Sequence, residues 1–161
     1  MNVVHYTPIG LVHSPFTEIS GMPIQPTAAQ GVRGSVVLNS EFAAGLRDIE
    51  GFSHLILIYH LHLVREFSLS VKPFLDDDDE HGIFATRAPK RPNPIGLSVV
   101  RLVARNEASL DIENVDILDG TPLLDLKPYV PQFDAPDNVR IGWFGGRLSR
   151  IRQARSDDRF G

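Results

Sequence analysis

The sequence of 161 residues contains no cysteine, which excludes a disulfide framework, a thiolate nucleophile and cysteine-ligated zinc. It has no apolar run long enough to span a bilayer. Its first residues show no charged-then-apolar leader pattern, so a soluble protein of a bacterial or archaeal cytoplasm is expected. Phosphate-cradling and hydrolytic signatures are missing as well. There is no G-x-G-x-x-G, no G-x-x-x-x-G-K-[ST], no H-E-x-x-H and no G-x-S-x-G. Any chemistry must therefore rest on a less common scaffold than a Rossmann crevice, a P-loop or a nucleophile elbow. An overall positive charge is also absent. The net charge of −4 argues against nucleic-acid binding by bulk electrostatics alone.

What is present is an ordinary globular mixture, 42% hydrophobic and 22% charged, long enough for one domain with a real core. The charges are unevenly placed. Residues 82–106 hold Arg87, Lys90, Arg91, Arg101 and Arg105 with no acid among them, and the tail carries Arg140, Arg147, Arg150, Arg152, Arg155 and Arg159. Acid concentrates in Asp76–Glu80, which reads as an exposed, mobile loop.

Strand signals dominate. They fall at Val3–Val12, Gly34–Leu38, Ser53–His62, Ile95–Val103, Ser109–Glu113, Val115–Leu118 and Leu123–Leu126, with turns at Asn106–Glu107 and Asp119–Gly120. One short helix is expected after a Ser40 cap, ending near Gly51, and another over Arg147–Ala154. The expected architecture is mostly β, a single-sheeted antiparallel barrel with short peripheral helices. It occupies 1–140, followed by a basic tail at 141–161.

Two constellations stand out. In Arg87–Gly96, Pro89, Pro92 and Pro94 stiffen the backbone, lowering the ordering cost of binding. That rigid frame presents Arg87, Lys90, Arg91 and Asn93, heads suited to a nucleotide or its phosphates. In Asp119–Tyr129, the side chains of Asp125, Lys127 and Tyr129 alternate and share one strand face. His60 and His62 share a face too, but a metal would need a third ligand from elsewhere, and none is expected. A structural turn and a solvated sheet face are the bland alternatives to these two constellations.

Three blocks, GFSHLILIYHLH at Gly51–His62, GIFATRAPKRPNPIGLS at Gly82–Ser98 and DGTPLLDLKPY at Asp119–Tyr129, occur in this order after IGLVHSPF at Ile9–Phe16. Together they resemble the TsaA-like family, which includes TrmO (YaeB-like) tRNA methyltransferases and VirR-like proteins, over about residues 5–135. The resemblance implies a β-barrel homodimer with S-adenosyl-L-methionine clefts near the subunit interface. It implies methyl transfer to N6 of threonylcarbamoyladenosine, the tRNA base directly after the anticodon, with the anticodon stem-loop as partner. It places cofactor contacts at Pro26, Thr27, Ala28, His62, Leu63, Arg87, Leu97, Glu113, Asn114, Val115 and Asp116. Asn93, Pro94, Asp119, Lys127 and Tyr129 look like the substrate-facing set, with Asp119, Lys127 and Tyr129 as its catalytic candidates. On chemical grounds Lys90, Arg91 and the tail arginines are expected to hold RNA phosphates. Asp119 is the first candidate for accepting the N6 proton, with Asp116 second. A non-catalytic cofactor or nucleotide sensor, an RNA-binding module without chemistry, and a methyltransferase with another substrate are the alternatives.

Overall fold

The computed structural model describes residues 2–76, 78–150 and 153–157. Its centre is a closed barrel of six antiparallel strands: β1 (Gly10–His13), β2 (Arg33–Leu38), β3 (His54–His60), β6 (Ile95–Asn106), β7 (Ser109–Glu113) and β8 (Thr121–Pro128). The strands neighbour one another in the order β1-β2-β7-β6-β3-β8, and β8 pairs back onto β1. Closure leaves no unpaired barrel edge. A separate two-stranded ribbon, β4 (Ser70–Val71) with β5 (His81–Gly82), lies beside it.

The barrel follows from period-two patterning. Along β3 every second residue, Leu55, Leu57 and Tyr59, is buried. These side chains meet Val12, Val36, Val100, Leu110, Ile112 and Leu123 in one core. A register shift at Ile58/Tyr59 reverses the parity of β8. Leu123 is buried near the start of the strand, whereas Lys127 is exposed near its end.

Several expected boundaries move. The first strand begins only at Gly10, because Pro8 cannot donate a backbone hydrogen bond and residues 2–8 are exposed without ladder partners. Val115–Leu118 is not a strand. Asn114 adopts a left-handed φ of 67°, which ends the ladder and turns Val115 and Ile117 into the core. The helix expected after Ser40 is two 3-10 segments, Ser40–Leu46 and Ile49–Gly51. The first of these has Asn39, not Ser40, at its N-cap. The expected terminal helix over Arg147–Ala154 contributes a 3-10 turn at Leu148–Arg150, and Ile151 and Arg152 lie outside the described residues. Asp78, Asp79 and Glu80 of the acidic run are exposed as expected and Asp77 lies outside the described residues, but the Asp76 side chain at its head is only 2% exposed and pairs with both His81 and Arg147, each at 2.9 Å. No helix among the described residues is long and apolar enough to cross a membrane.

Candidate active site

A cleft of about 780 Å³ opens beside one end of the barrel, within the size range of small-molecule sites. Its walls come from the loop after β1, the residues after β3, the Pro-rich segment before β6, the turn before β8 and the C-terminal segment.

Tyr59, Ser98 and Asp116 form a connected polar chain at this cleft. The Ser98 Oγ donates to Asp116 Oδ1 at 2.6 Å, so its one proton is committed and the Tyr59 hydroxyl, 2.9 Å away, donates to Ser98. Ser98 is 1% exposed and Tyr59 7%. Burial pushes the Asp116 carboxyl up to about 6, against the lowering effects of the Ser98 hydrogen bond and the Arg87 charge. Burial likewise raises the Tyr59 phenol, with the Asp116 charge adding to the effect. Tyr59 faces Gly96 across the β3–β6 ladder. A Cβ at residue 96 would collide with the Tyr59 ring, so glycine is what lets the ring lie over β6.

At the rim, Arg87 Nη1 donates to Gln25 Oε1 at 3.0 Å. Leu61, Leu63, Ile95, Leu97 and Phe74 supply apolar wall. His62 also lines the cleft, and partial burial, followed by the neighbouring His60 charge, lowers its imidazole below the usual range. Among the described residues no group of three histidines or carboxylates gathers to hold a metal.

Of the expected cofactor contacts, Thr27, His62, Leu63, Arg87, Leu97 and Asp116 line this one cleft. Pro26 and Ala28 complete the 3-10 turn that carries Thr27 but are not themselves in the lining. Glu113, Asn114 and Val115 lie outside the lining and make structural contacts. Glu113 bridges Arg33 and Arg101 at 3.2 and 2.8 Å. The Asn114 Oδ1 accepts from Gly31 N–H at 2.9 Å, and Val115 is fully buried in the core.

The substrate-facing set divides as well. Arg91 lines the cleft, but its Nη1 donates to the carbonyls of Ile83 and Thr86 at 3.0 and 2.9 Å. It therefore staples the loop rather than presenting a free fork. Lys90 and Asn93 lie outside the lining, with Asn93 exposed. Pro94 does not line the cleft either; its carbonyl accepts from Leu61 N–H at 2.8 Å. Asp119 is adjacent to the cleft but not in its wall. Its carboxylate is 40% exposed and holds His13 Nδ1 and Ser14 N–H, each at 3.1 Å. The Ser14 bond, more than His13, keeps it below the usual carboxylate range. Lys127 pairs with Asp125 at 2.6 Å on the outer face of β8, and Tyr129 packs edge-on near His54.

Tyr59, Ser98 and the C-terminal wall were not anticipated. Ile141, Trp143, Phe144, Leu148 and Ser156 all line the cleft. Of the tail arginines expected to contact RNA, Arg147 is engaged with Asp76 and with the Trp143 carbonyl. Arg152 and Arg159 lie outside the described residues. Gly96 opposite an aromatic residue was the one available signal for Tyr59, and Trp143, the sole tryptophan, the one signal for the wall.

Comparison with known proteins places this geometry. A family profile described as the tRNA-methyltransferase O N-terminal domain matches residues 11–135. A probable S-adenosyl-L-methionine-binding protein of Pyrococcus abyssi is 55% identical over 98% of this chain and 85% of its own length. The tRNA (adenine(37)-N6)-methyltransferase of Escherichia coli is 34% identical over 81% of this chain and 60% of that protein. The solved structure of TrmO from Pseudomonas aeruginosa superposes with a TM-score of 0.74 at 38% identity, covering 88% of this chain and 63% of that one. The chain thus spans under two thirds of the length of the latter two.

Proposed function

The chain belongs to the tRNA-methyltransferase O N-terminal domain family, and from that membership we propose that it is an S-adenosyl-L-methionine-dependent methyltransferase. Its proposed target is N6 of the adenosine directly following the tRNA anticodon, in its threonylcarbamoylated form. The observation that carries the reading is the one cleft that gathers Arg87, a half-buried Asp116 and an apolar wall. Those groups fit the cofactor's chemistry. A guanidinium suits its carboxylate, aliphatic and aromatic walls suit its purine, and the half-buried carboxylate suits a cationic centre.

The bound cofactor supplies a methyl group already activated on a sulfonium, so this chain's residues need only align, desolvate and remove a proton. The leucines and Ile95 exclude water, while Arg87 and Thr27 orient the cofactor. The target N6 is a poor nucleophile because its lone pair is delocalised, so an acceptor for its proton assists. We assign that role to Asp116 at its second carboxylate oxygen. Oδ1 is occupied by the Ser98 donor, and burial gives the group a basicity near neutrality. Asp119 shapes the turn before β8. Lys90 contributes to phosphate contact with the anticodon stem-loop.

A homodimer belongs to the same proposal. Lys127 and Tyr129 face outward from their own barrel, where they reach a substrate that extends beyond one chain's cleft. Sedimentation at twice the chain mass is the expected result.

The test is nucleoside mass spectrometry of tRNA incubated with the protein and S-adenosyl-L-methionine, repeated with tRNA lacking threonylcarbamoylation. A gain of the mass of one added methyl group on threonylcarbamoyladenosine only is expected from a single methyl transfer. No methylated nucleoside in either sample contradicts the proposal, and methylation of both removes the requirement for the threonylcarbamoyl group.

A further inference from the structure

The family match ends at residue 135, yet five cleft residues come from beyond it: Ile141, Trp143, Phe144, Leu148 and Ser156. This segment is tied down at three places. Trp143 Nε1 donates to the Ala85 carbonyl at 2.7 Å, and its ring stacks on His81 with centroids 4.4 Å apart. Arg147 pairs with the buried Asp76 carboxylate at 2.9 Å. At the far end, Gly21 N–H donates to the Ser156 carbonyl at 2.8 Å and Ser156 N–H to the Met22 carbonyl at 2.9 Å.

The anchors sit on two particular loops. Ala85 is two residues before Arg87, and Met22 is three before Gln25. Arg87 and Gln25 are the side chains that meet at the cleft rim. Their hydrogen bond is exposed and joins residues 62 apart in the chain. Such a contact adds little unless both loops are already ordered. The C-terminal segment supplies that order, since it bonds to both loops and lines the cleft.

We propose that the described residues of 141–157 form a strap that holds the Arg87 and Gln25 loops in their ligand-binding arrangement, with Trp143 as the positioning residue for Arg87. The inference rests on the reading of this cleft as the S-adenosyl-L-methionine site. It has a chemical signature. A guanidinium recognises a carboxylate, so losing its placement weakens ligands that carry the amino-acid end and spares those that lack it.

The experiment is calorimetric titration of the full chain with S-adenosylhomocysteine and with methylthioadenosine, which lacks the amino-acid end. Wild type is compared with Trp143→Ala, Trp143→Phe, Arg87→Ala and the Trp143→Ala/Arg87→Ala pair. Trp143→Ala is expected to weaken S-adenosylhomocysteine about 10-fold and methylthioadenosine less than about 2-fold. Trp143→Phe keeps a smaller stacking ring and loses the Nε1 donor, so a loss of about 3-fold is expected, and it serves if the alanine variant does not fold. The double variant should bind no more weakly than Arg87→Ala alone, because Trp143 acts through Arg87. Equal weakening of both ligands, additive losses in the double variant, or unchanged affinity in both Trp143 variants overturns the strap. Failure of the wild type to bind either ligand overturns the cofactor reading itself.

Discussion

Asp116 and Asp119 stand three residues apart in the same turn before β8, and the fold drives them in opposite directions. Asp116 is half-buried at the cleft, bonded to Ser98, and pushed up to about 6 by desolvation. Asp119 is 40% exposed, bonded to Ser14 N–H and His13, and held below the usual range. One side-chain type therefore yields a carboxyl raised toward neutrality and a turn clamp held below the usual carboxylate range. Residue type and motif membership cannot separate the two. Burial and the number of donors can.

Substitution at the two positions should separate them most. Asp116→Asn is expected to slow single-turnover methyl transfer at pH 8 by about 100- to 10,000-fold, the loss typical of a general base. Asp119→Asn should cost less than about 10-fold, working only through the shape of the turn. Equal losses at both positions would erase the distinction.

The stability of the fold responds to the same contrast. Asp116 has a folded value raised above the unfolded one, so the folded chain binds the extra proton between about pH 4 and 6. Stability from this group is therefore highest below pH 4 and falls as pH rises through about 6. Asp116→Asn removes that fall, and is expected to raise stability at pH 8 by up to about 3 kcal/mol in denaturant titrations. Asp119 has the opposite sign: its lowered value contributes stability above the unfolded carboxylate range that is lost as pH drops through the folded value. Being well exposed, it is worth only about a few tenths of a kcal/mol.

Much of this fold was legible because its strands follow simple physics. The alternation in β3 and the β-branched residues of β2, β6 and β7 announce half-buried strands, and the chain's three motif blocks all lie on the barrel or its loops. The misread stretches have local causes: Pro8 removes a donor, and Asn114 takes a left-handed turn. The site was less legible. The resemblance points to Thr27, His62, Arg87, Leu97 and Asp116, which line the cleft, but Tyr59, Ser98 and Asp116 become one chain only through barrel register, which opposes Tyr59 to Gly96. The arginines of the tail drew attention to RNA, while its packing is carried by Trp143 and Ser156, whose partners lie 58 and 134 residues away.

A smaller effect isolates the link between Asp116 and its donor. Ser98→Ala removes a hydrogen bond that favours the ionised carboxylate. The acid limb of the rate profile should move upward, by about one pH unit, and the fold should lose about 1 kcal/mol. An unmoved limb would mean that Ser98 does not tune the acceptor. The smallest effect is at the other carboxylate. His13→Ala should leave transfer unchanged and lower stability by about a few tenths of a kcal/mol.

The most direct measurement is the pH dependence of single-turnover methyl transfer at saturating cofactor and tRNA, for wild type and Asp116→Asn. Wild type should lose rate as pH falls through about 6, where Asp116 takes up its proton, and the variant should be slow at every pH without that limb. A variant as fast as wild type, or one that keeps the same acid limb, would contradict Asp116 as the proton acceptor.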